Sequence, residues 1–443
     1  MAGFPYFPHT GEDIKAMLEK AGAARIEDLY GDVPREFIHD GMLDLPDEMS
    51  EQEVLDFLEG LAAMNPRLKV FAGGGAYDHY TPSVIPYITQ RSEFLTAYTP
   101  YQCEISQGTL RYIFEYQSMI CNLTGLDVSN ASLYDGPTAA AEAMMMAAAS
   151  AKKKNKVLLS EGLLPQVIAV VENYASFHGV EIGRVPVMGG QTCPHCLRAA
   201  LAAGDVAGVI VPSVNRLGIV EDHTGFADLV HEAKALMVEY CDPSALAVVR
   251  TPAEWGADIA VGDGQSLGIP MSFGGPYVGF MAVRKDLMRR IPGRIVGETV
   301  DKEGRRAYVL TLQAREQHIR REKATSNICS NESLMALWVT VYLSLMGPSG
   351  MKELNGICHD GAAYLKDSLL ATGRFEDPFP EKPFLKEFVL KVKGETPDSL
   401  RSRLGRAGFF AALDAGDGMV SFCVTERRSR EEVDALVKAV KEG

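Results

Sequence analysis

Lysine is missing from the whole stretch between Ala235 and Arg284. That stretch contains a polar, glycine-rich loop, Gly262 to Pro270, between two apolar segments that read as buried strands. A ligand-binding loop there has Gln265 and Ser266 at its centre and no amine. Other scarcities exclude whole classes. Positive charge is in deficit, 44 Lys and Arg against 58 Asp and Glu, for a net charge of -14. This argues against nonspecific binding to nucleic acid or to an anionic membrane. Cysteine is sparse, eight in all and six of them single, which suits a reducing cytoplasm and not a disulfide framework. The N-terminus lacks a basic start followed by an apolar core, so no signal peptide is expected. The longest apolar run, Leu334 to Met346, is too short to span a bilayer and reads as a buried helix. No G-x-G-x-x-G opens a helix after a first strand, which removes a nucleotide-binding oxidoreductase.

What is present is ordinary globular composition, 443 residues with 47% hydrophobic and 23% charged. Three regions are expected: a helical arm over 1–65, a large α/β domain over 66–350 and a small α+β domain over 351–443. In the arm, Thr10 caps a helix over residues 11–21 and Ser50 precedes another. From Gly125 onward strands and helices alternate, which predicts a mainly parallel sheet covered on both faces. The predicted elements include a helix from Thr138 to Lys154, closed by the cations Lys152 to Lys154, and a strand over 157–159. Further on come a helix near 225–239, buried strands over 208–211, 245–249 and 257–261, and a strand from Tyr277 to Val283. Two C-terminal strands, 388–392 and 419–424, precede a helix over 431–441.

Five segments concentrate chemistry. Ser132 to Ala139 runs from a turn into a helix whose free N–H groups suit a phosphate, with Thr138 as a hydroxyl donor. The same residues also read as a helix cap, through Asp135 or Thr138 with Pro137 at the first helical position. Tyr98 to Gly108 is dense in polar and aromatic groups and lines a site through Tyr98, Thr99, Tyr101 and Glu104, or forms an extended turn. Phe71 to Tyr80 carries three glycines that allow close backbone approach. Arg315 to Asn327 is basic within an acidic chain. Its Arg315, His318, Arg320, Arg321 and Lys323 suit phosphate or carboxylate, or make a solvated helix with Glu316 and Glu322. Cys193 and Cys196, with His195 between them, read either as a redox pair or metal ligands, or as incidental cysteines at a helix start.

Taken together, Tyr98 to Gly108, Tyr134 to Ala143, Gly256 to Pro276, Pro292 to Glu298 and Leu312 to Asn331 resemble the P-proteins of the glycine cleavage system. The likeness is to the first subunit of the two-subunit form of glycine dehydrogenase (decarboxylating). It runs the length of the chain and is most specific over Arg315 to Ile328. It implies fold type I of the pyridoxal-phosphate (PLP) enzymes: a seven-stranded, mainly parallel sheet with a smaller α+β C-terminal domain. It also implies a second subunit that carries the PLP lysine, an α2β2 heterotetramer, and a lipoylated H-protein. With Ile269-Pro270 set on the partner's Ile-Pro, Gln265 falls at the lysine position. Asp242 falls where an aspartate pairs with the pyridine nitrogen.

A lysine amine holds PLP as a Schiff base and is displaced by the substrate amine. A glutamine amide cannot do this, so the resemblance implies a chain that is not competent alone. Asp242, Gln265 and Thr138 then mark a degenerate site. Tyr98, Thr99, Tyr101 and Glu104, with Thr325, Ser326 and Asn327, are expected to reach the partner's PLP and its substrate glycine across an interface. Thr325 is the expected phosphate contact. Arg315, His318, Arg320 and Arg321 line a lipoyl channel or brace the interface. The alternative is a structural or regulatory pseudoenzyme that only stabilises a catalytic partner. Two departures stand out: Cys103 replaces the family's usual proline, and Pro137 replaces a small residue at a helix start.

Overall fold

The computed structural model describes residues 6, 8–39, 41, 43–151, 153–324, 326–328 and 330–442. The chain separates into two compact units, 1–66 and 67–443. In the first, helices Gly11–Ala21 and Glu51–Ala63 both start at capping boxes, Thr10 with Asp13 and Ser50 with Glu53. None of its described residues is buried; Leu55, Phe57 and Leu58 are exposed.

The second unit is built on a seven-stranded sheet. Across it the strands run Val128–Ser129, Gly279–Val283, Ile259–Asp263, Leu236–Tyr240, Val206–Pro212, Lys156–Ser160 and Glu181–Val185. Only Gly279–Val283 runs against the rest. Burial on both faces explains the near-continuous apolar strands. Ile259 and Val261 pack on one face with Ala140, Met144 and Val167. Ala260, between them, packs on the other face with Tyr116, Val339 and Tyr342. A four-stranded antiparallel sheet follows, in the order Phe375–Glu376, Glu387–Val392, Met419–Cys423, Leu413–Gly416. Helices Pro397–Arg406 and Arg430–Lys441 share its core of Phe388, Leu390, Leu400, Phe422 and Leu436. Lys69–Phe71 pairs in parallel with Phe409–Ala411, so the start of this unit is joined to its C-terminal part.

Three sequence expectations are corrected, and a fourth is extended. The helix predicted to Lys154 is Gly136–Ser150, and the Lys154 ammonium donates to the carbonyls of Ala233 and Lys234, where the Phe226–Glu232 helix ends. Its charge complements a different helix terminus from the one expected. The helix predicted near 225–239 stops at Glu232, and Leu236–Tyr240 is a core strand. The strand predicted over 245–249 is a 3-10 turn, Ala245–Ala247. Its apolar residue Leu246 packs with Met351 and Leu354 outside the sheet. Last, the 334–346 run belongs to a 38-residue helix, Ser333–Leu370, broken at Gly347. By length and composition it is long and apolar enough to cross a membrane. Leu337, Val339, Tyr342, Met351 and Cys358 from it are nevertheless buried among the protein's own side chains.

Candidate functional site

Parallel strands gather functional groups at their carboxyl ends, where open α/β sheets bind ligands. Leu236–Tyr240 leads to Asp242, Ile259–Asp263 ends in Asp263, and Val206–Pro212 leads to Asn215. All three line one cavity with Tyr77, Tyr240 and Ser266.

The cavity is closed from within. Gln265 is fully buried, and its amide is spent on backbone. Its Nε2 donates to the carbonyls of Tyr77 at 2.8 Å and Ile269 at 2.7 Å, while its Oε1 accepts the Tyr77 N–H at 2.7 Å. Asp242 sits 2.7 Å from the Lys386 ammonium. It also accepts from the hydroxyls of Ser244 and Ser266. Lys386 immediately precedes the strand Glu387–Val392 of the small sheet and lies over the Tyr77 ring, 3.9 Å from its centroid. Burial opposes charge on both partners, but each holds the other ionised: the Asp242 carboxyl is lowered and the Lys386 ammonium raised.

The network continues outward. Lys386 donates to His79 Nε2 at 3.0 Å, which leaves the imidazole proton on Nδ1, facing Glu426 Oε2 at 2.7 Å. Burial and then the Lys386 charge lower the His79 pKa. Burial would raise Glu426, but the His79 bond and the Tyr80 N–H outweigh it and hold the carboxyl at about 2. His79, Cys358 and Glu426 are the one group among the described residues with three potential metal-ligand atoms within 4.8 Å. With a proton on Nδ1 and an ammonium on Nε2, that group is a hydrogen-bond chain and not a cation cradle.

The start of helix Gly136–Ser150 is occupied too. Asp135 caps it, accepting the Thr138 N–H at 2.7 Å, and Asp263 accepts the Gly136 N–H at 2.9 Å. Pro137 supplies no N–H. The donors expected to greet a phosphate therefore already serve two carboxylates. Burial raises Asp263 to about 7. About 30 Å³ of cavity remains, room for a water or two. Hydrogen bonds run from the start of the Thr138 helix through Asp263 to Gln265, and from Ser266 to Asp242, so the chain's own groups fill this region. His79 lies in the glycine-bearing segment Phe71 to Tyr80 that the sequence singled out, but Lys386 and Glu426 were missed because they lie more than a hundred residues in sequence from Asp242. No local pattern marks them.

A second group is exposed. Tyr98, Tyr101 and Glu104 present their side chains to solvent, and Tyr98 is 84% exposed. Buried Arg294 braces this loop: it donates to Tyr101 Oη at 3.0 Å and Thr99 Oγ1 at 3.5 Å, and lies over the Tyr101 ring. Its Nε lies 3.9 Å from Glu316 Oε2, and His318 Nδ1 lies 3.5 Å from the same oxygen. Arg294 therefore links the Tyr98–Glu104 loop to the basic segment. Its motif, Pro292 to Glu298, was visible in sequence, but its contact partners were not. His318, Arg320 and Arg321 are exposed. Ser326 Oγ accepts the Ile328 N–H at 3.1 Å and bonds to Glu142, which burial raises to about 7. Asn327 is exposed. Thr325 and the side chain of Arg315 lie outside the described residues. His195 is exposed, and among the described residues it joins no group of three close metal-ligand atoms with Cys193 and Cys196.

The strand order and the pocket at the strand ends define a class, fold type I of the PLP-dependent enzymes. A sphingosine-1-phosphate lyase of Burkholderia pseudomallei shares this fold at TM-score 0.68 and 12% identity, over 91% of this chain and 92% of its own. The family follows from closer comparisons. The chain belongs to the glycine cleavage system P-protein family, whose model matches residues 5–440. It is similar to the probable glycine dehydrogenase (decarboxylating) subunit 1 of Moorella thermoacetica, 50% identical over 98% of this chain and 99% of the relative. The protein of that name from Carboxydothermus hydrogenoformans is 47% identical over 98% and 99%. A crystal structure of a glycine decarboxylase P-protein in inhibitor-bound form superposes at TM-score 0.89 with 44% identity, over 99% of this chain and 100% of that one.

The residues at this chain's strand ends do not fit PLP. Gln265 offers no amine, Asp242 already has its cation in Lys386, and carboxylates hold the helix terminus that would receive a phosphate.

Proposed function

We propose that this chain is the lysine-free subunit of a glycine-decarboxylating P-protein. With a second subunit, in an α2β2 assembly, it releases carbon dioxide from glycine and passes the aminomethyl group to the lipoyl arm of an H-protein. PLP is held covalently by the second subunit and not by this chain. The observation that carries this reading is the self-filled pocket around Gln265, in a chain whose full length matches glycine dehydrogenase subunit 1. The contribution of this chain then lies on its exposed group. Tyr98, Thr99, Tyr101 and Glu104, backed by Arg294, complete the partner's site, and Thr325, Ser326 and Asn327 approach its PLP. Arg315, His318, Arg320 and Arg321 line the path of the anionic or polar parts of the lipoyl carrier. Seven described cysteines, all free thiols, accord with a cytoplasmic location.

The test is reconstitution with the second subunit, read by the visible aldimine band and by glycine–bicarbonate exchange. The isolated chain should show neither. In the assembled complex, Glu104→Gln should lower exchange by about tenfold or more, a loss of roughly 1.4 kcal/mol of transition-state stabilisation. An aldimine band in the isolated chain overturns the reading. If changes at Tyr98 to Glu104 weaken assembly but leave turnover per complex intact, the chain is a scaffold.

A further inference from the structure

The Cys193/Cys196 pair lies outside both groups described above. Cys193 is the N-cap of helix Pro194–Leu201, and its Sγ accepts the Cys196 N–H at 3.1 Å. Its backbone is extended, outside the helix, so its side chain can rotate without unwinding a turn. Helix positions three apart bring Cβ atoms to about 5–6 Å, and a disulfide takes about 3.5–4.5 Å. Cys193 is buried and Cys196 is half-buried against Met188.

We propose that Cys193 and Cys196 form a reversible dithiol–disulfide pair that exchanges with low-molecular-weight disulfides. The more accessible Cys196 thiolate attacks one sulfur of the small disulfide. That S–S bond breaks, a mixed disulfide forms on Cys196, and one small thiolate leaves. The Cys193 thiolate then attacks Cys196 Sγ and expels the second small thiolate. Two protein thiols are oxidised, one small disulfide is reduced to two thiols, and the two protein protons pass to the departing sulfurs.

The electrostatics of the two sulfurs suit the resolving step, while accessibility rather than thiolate character makes Cys196 the point of first attack. Bonds from the Cys196 thiol and N–H lower the pKa of Cys193, so it is a ready resolving thiolate, and donation to Cys193 raises that of Cys196. Elsewhere burial pushes thiols the other way: Cys121 to about 11, Cys358 to about 12, and Cys241 and Cys423 well above their ordinary value. Those four are built-in controls.

The experiment equilibrates the full chain in glutathione buffers of graded ratio, quenches in acid, alkylates free thiols and maps the peptide containing both cysteines by mass. The expected result is joint loss of both alkylation sites, a peptide lighter by two hydrogens, and full reversal by dithiothreitol, with Cys241 and Cys423 still alkylated after unfolding. Cys193→Ser keeps an N-cap acceptor, so the helix start is preserved. This variant should stop at one glutathione on Cys196. Two free thiols across the whole series, or a glutathione adduct on Cys196 that wild-type Cys193 never resolves, overturns the proposal.

Discussion

At position 265 the chemistry turns on an amide in place of an amine. The Gln265 amide both donates and accepts, so it ties the Tyr77 and Ile269 backbone into the pocket floor. The burial of Asp242 then requires a cation from elsewhere, and Lys386 provides it. Removing one member of a buried ion pair strands the other. Lys386→Met should therefore cost about 3–5 kcal/mol in urea unfolding, and adding Asp242→Asn should recover part of it. Equal stability of the single and double variants would falsify the pairing. A buried carboxylate without such a partner behaves oppositely. Glu239 has no hydrogen-bond partner on either oxygen; burial raises it to about 7, with His223 lowering it and Glu221 raising it to lesser degrees. The folded state holds this proton where the unfolded chain has released it. Glu239 therefore subtracts stability progressively from its ordinary value of 4.5 up to about 7, and by a constant amount above. Glu239→Gln should accordingly leave stability at pH 4 nearly unchanged and raise it at pH 8, by up to about 3 kcal/mol. Urea midpoints across that range measure it; a gain at pH 4 equal to that at pH 8 refutes it.

Among the elements, the start of helix Gly136–Ser150 shows how one local pattern serves two ends. Ser132 to Ala139 reads in sequence either as an anion site or as a cap, and the structure has Asp135 capping it while Asp263, 128 residues further on from Asp135, takes another donor. Asp135→Ala should cost about 1 kcal/mol of stability, and Asp135→Ser should restore most of it; thermal unfolding of the three proteins decides the matter. Local patterns served well for elements with strong boundaries. Thr10 and Ser50 announced their helices, and so did the apolar segment before Gly262 its strand. They failed at 225–249, where Phe226 to Tyr240 is apolar enough for a continuous helix. The turn at Lys234, with positive φ, divides it into a helix and a strand. That division depends on the strands Val206–Pro212 and Ile259–Asp263 flanking Leu236–Tyr240, which no local window contains.

In the molecule as a whole, the small sheet closes the pocket. Lys386 arrives from it, and the loop after Val206–Pro212 packs on its backbone at Gly218. Gly218 has φ +77, and an added Cβ would lie 2.2 Å from the Glu387 carbonyl oxygen. Gly218→Ala should therefore destabilise by more than about 1 kcal/mol. It should also loosen Lys386, with hydrogen exchange accelerated at Glu387 and Phe388 as the check; unchanged exchange there would count against a coupled closure.

The sequence by itself determined that position 265 carries an amide and that no lysine occurs in the stretch around it from Ala235 to Arg284. It also determined the alternation of elements, because apolar periodicity and caps are local properties of a chain. Only the tertiary structure decided what became of the pocket those elements enclose. Its cation Lys386, its histidine His79 and its second carboxylate Glu426 each lie more than a hundred residues from Asp242 in sequence, and burial together with direct contact makes their charges depend on one another. The glutamine loop looked open in sequence, and folding filled it.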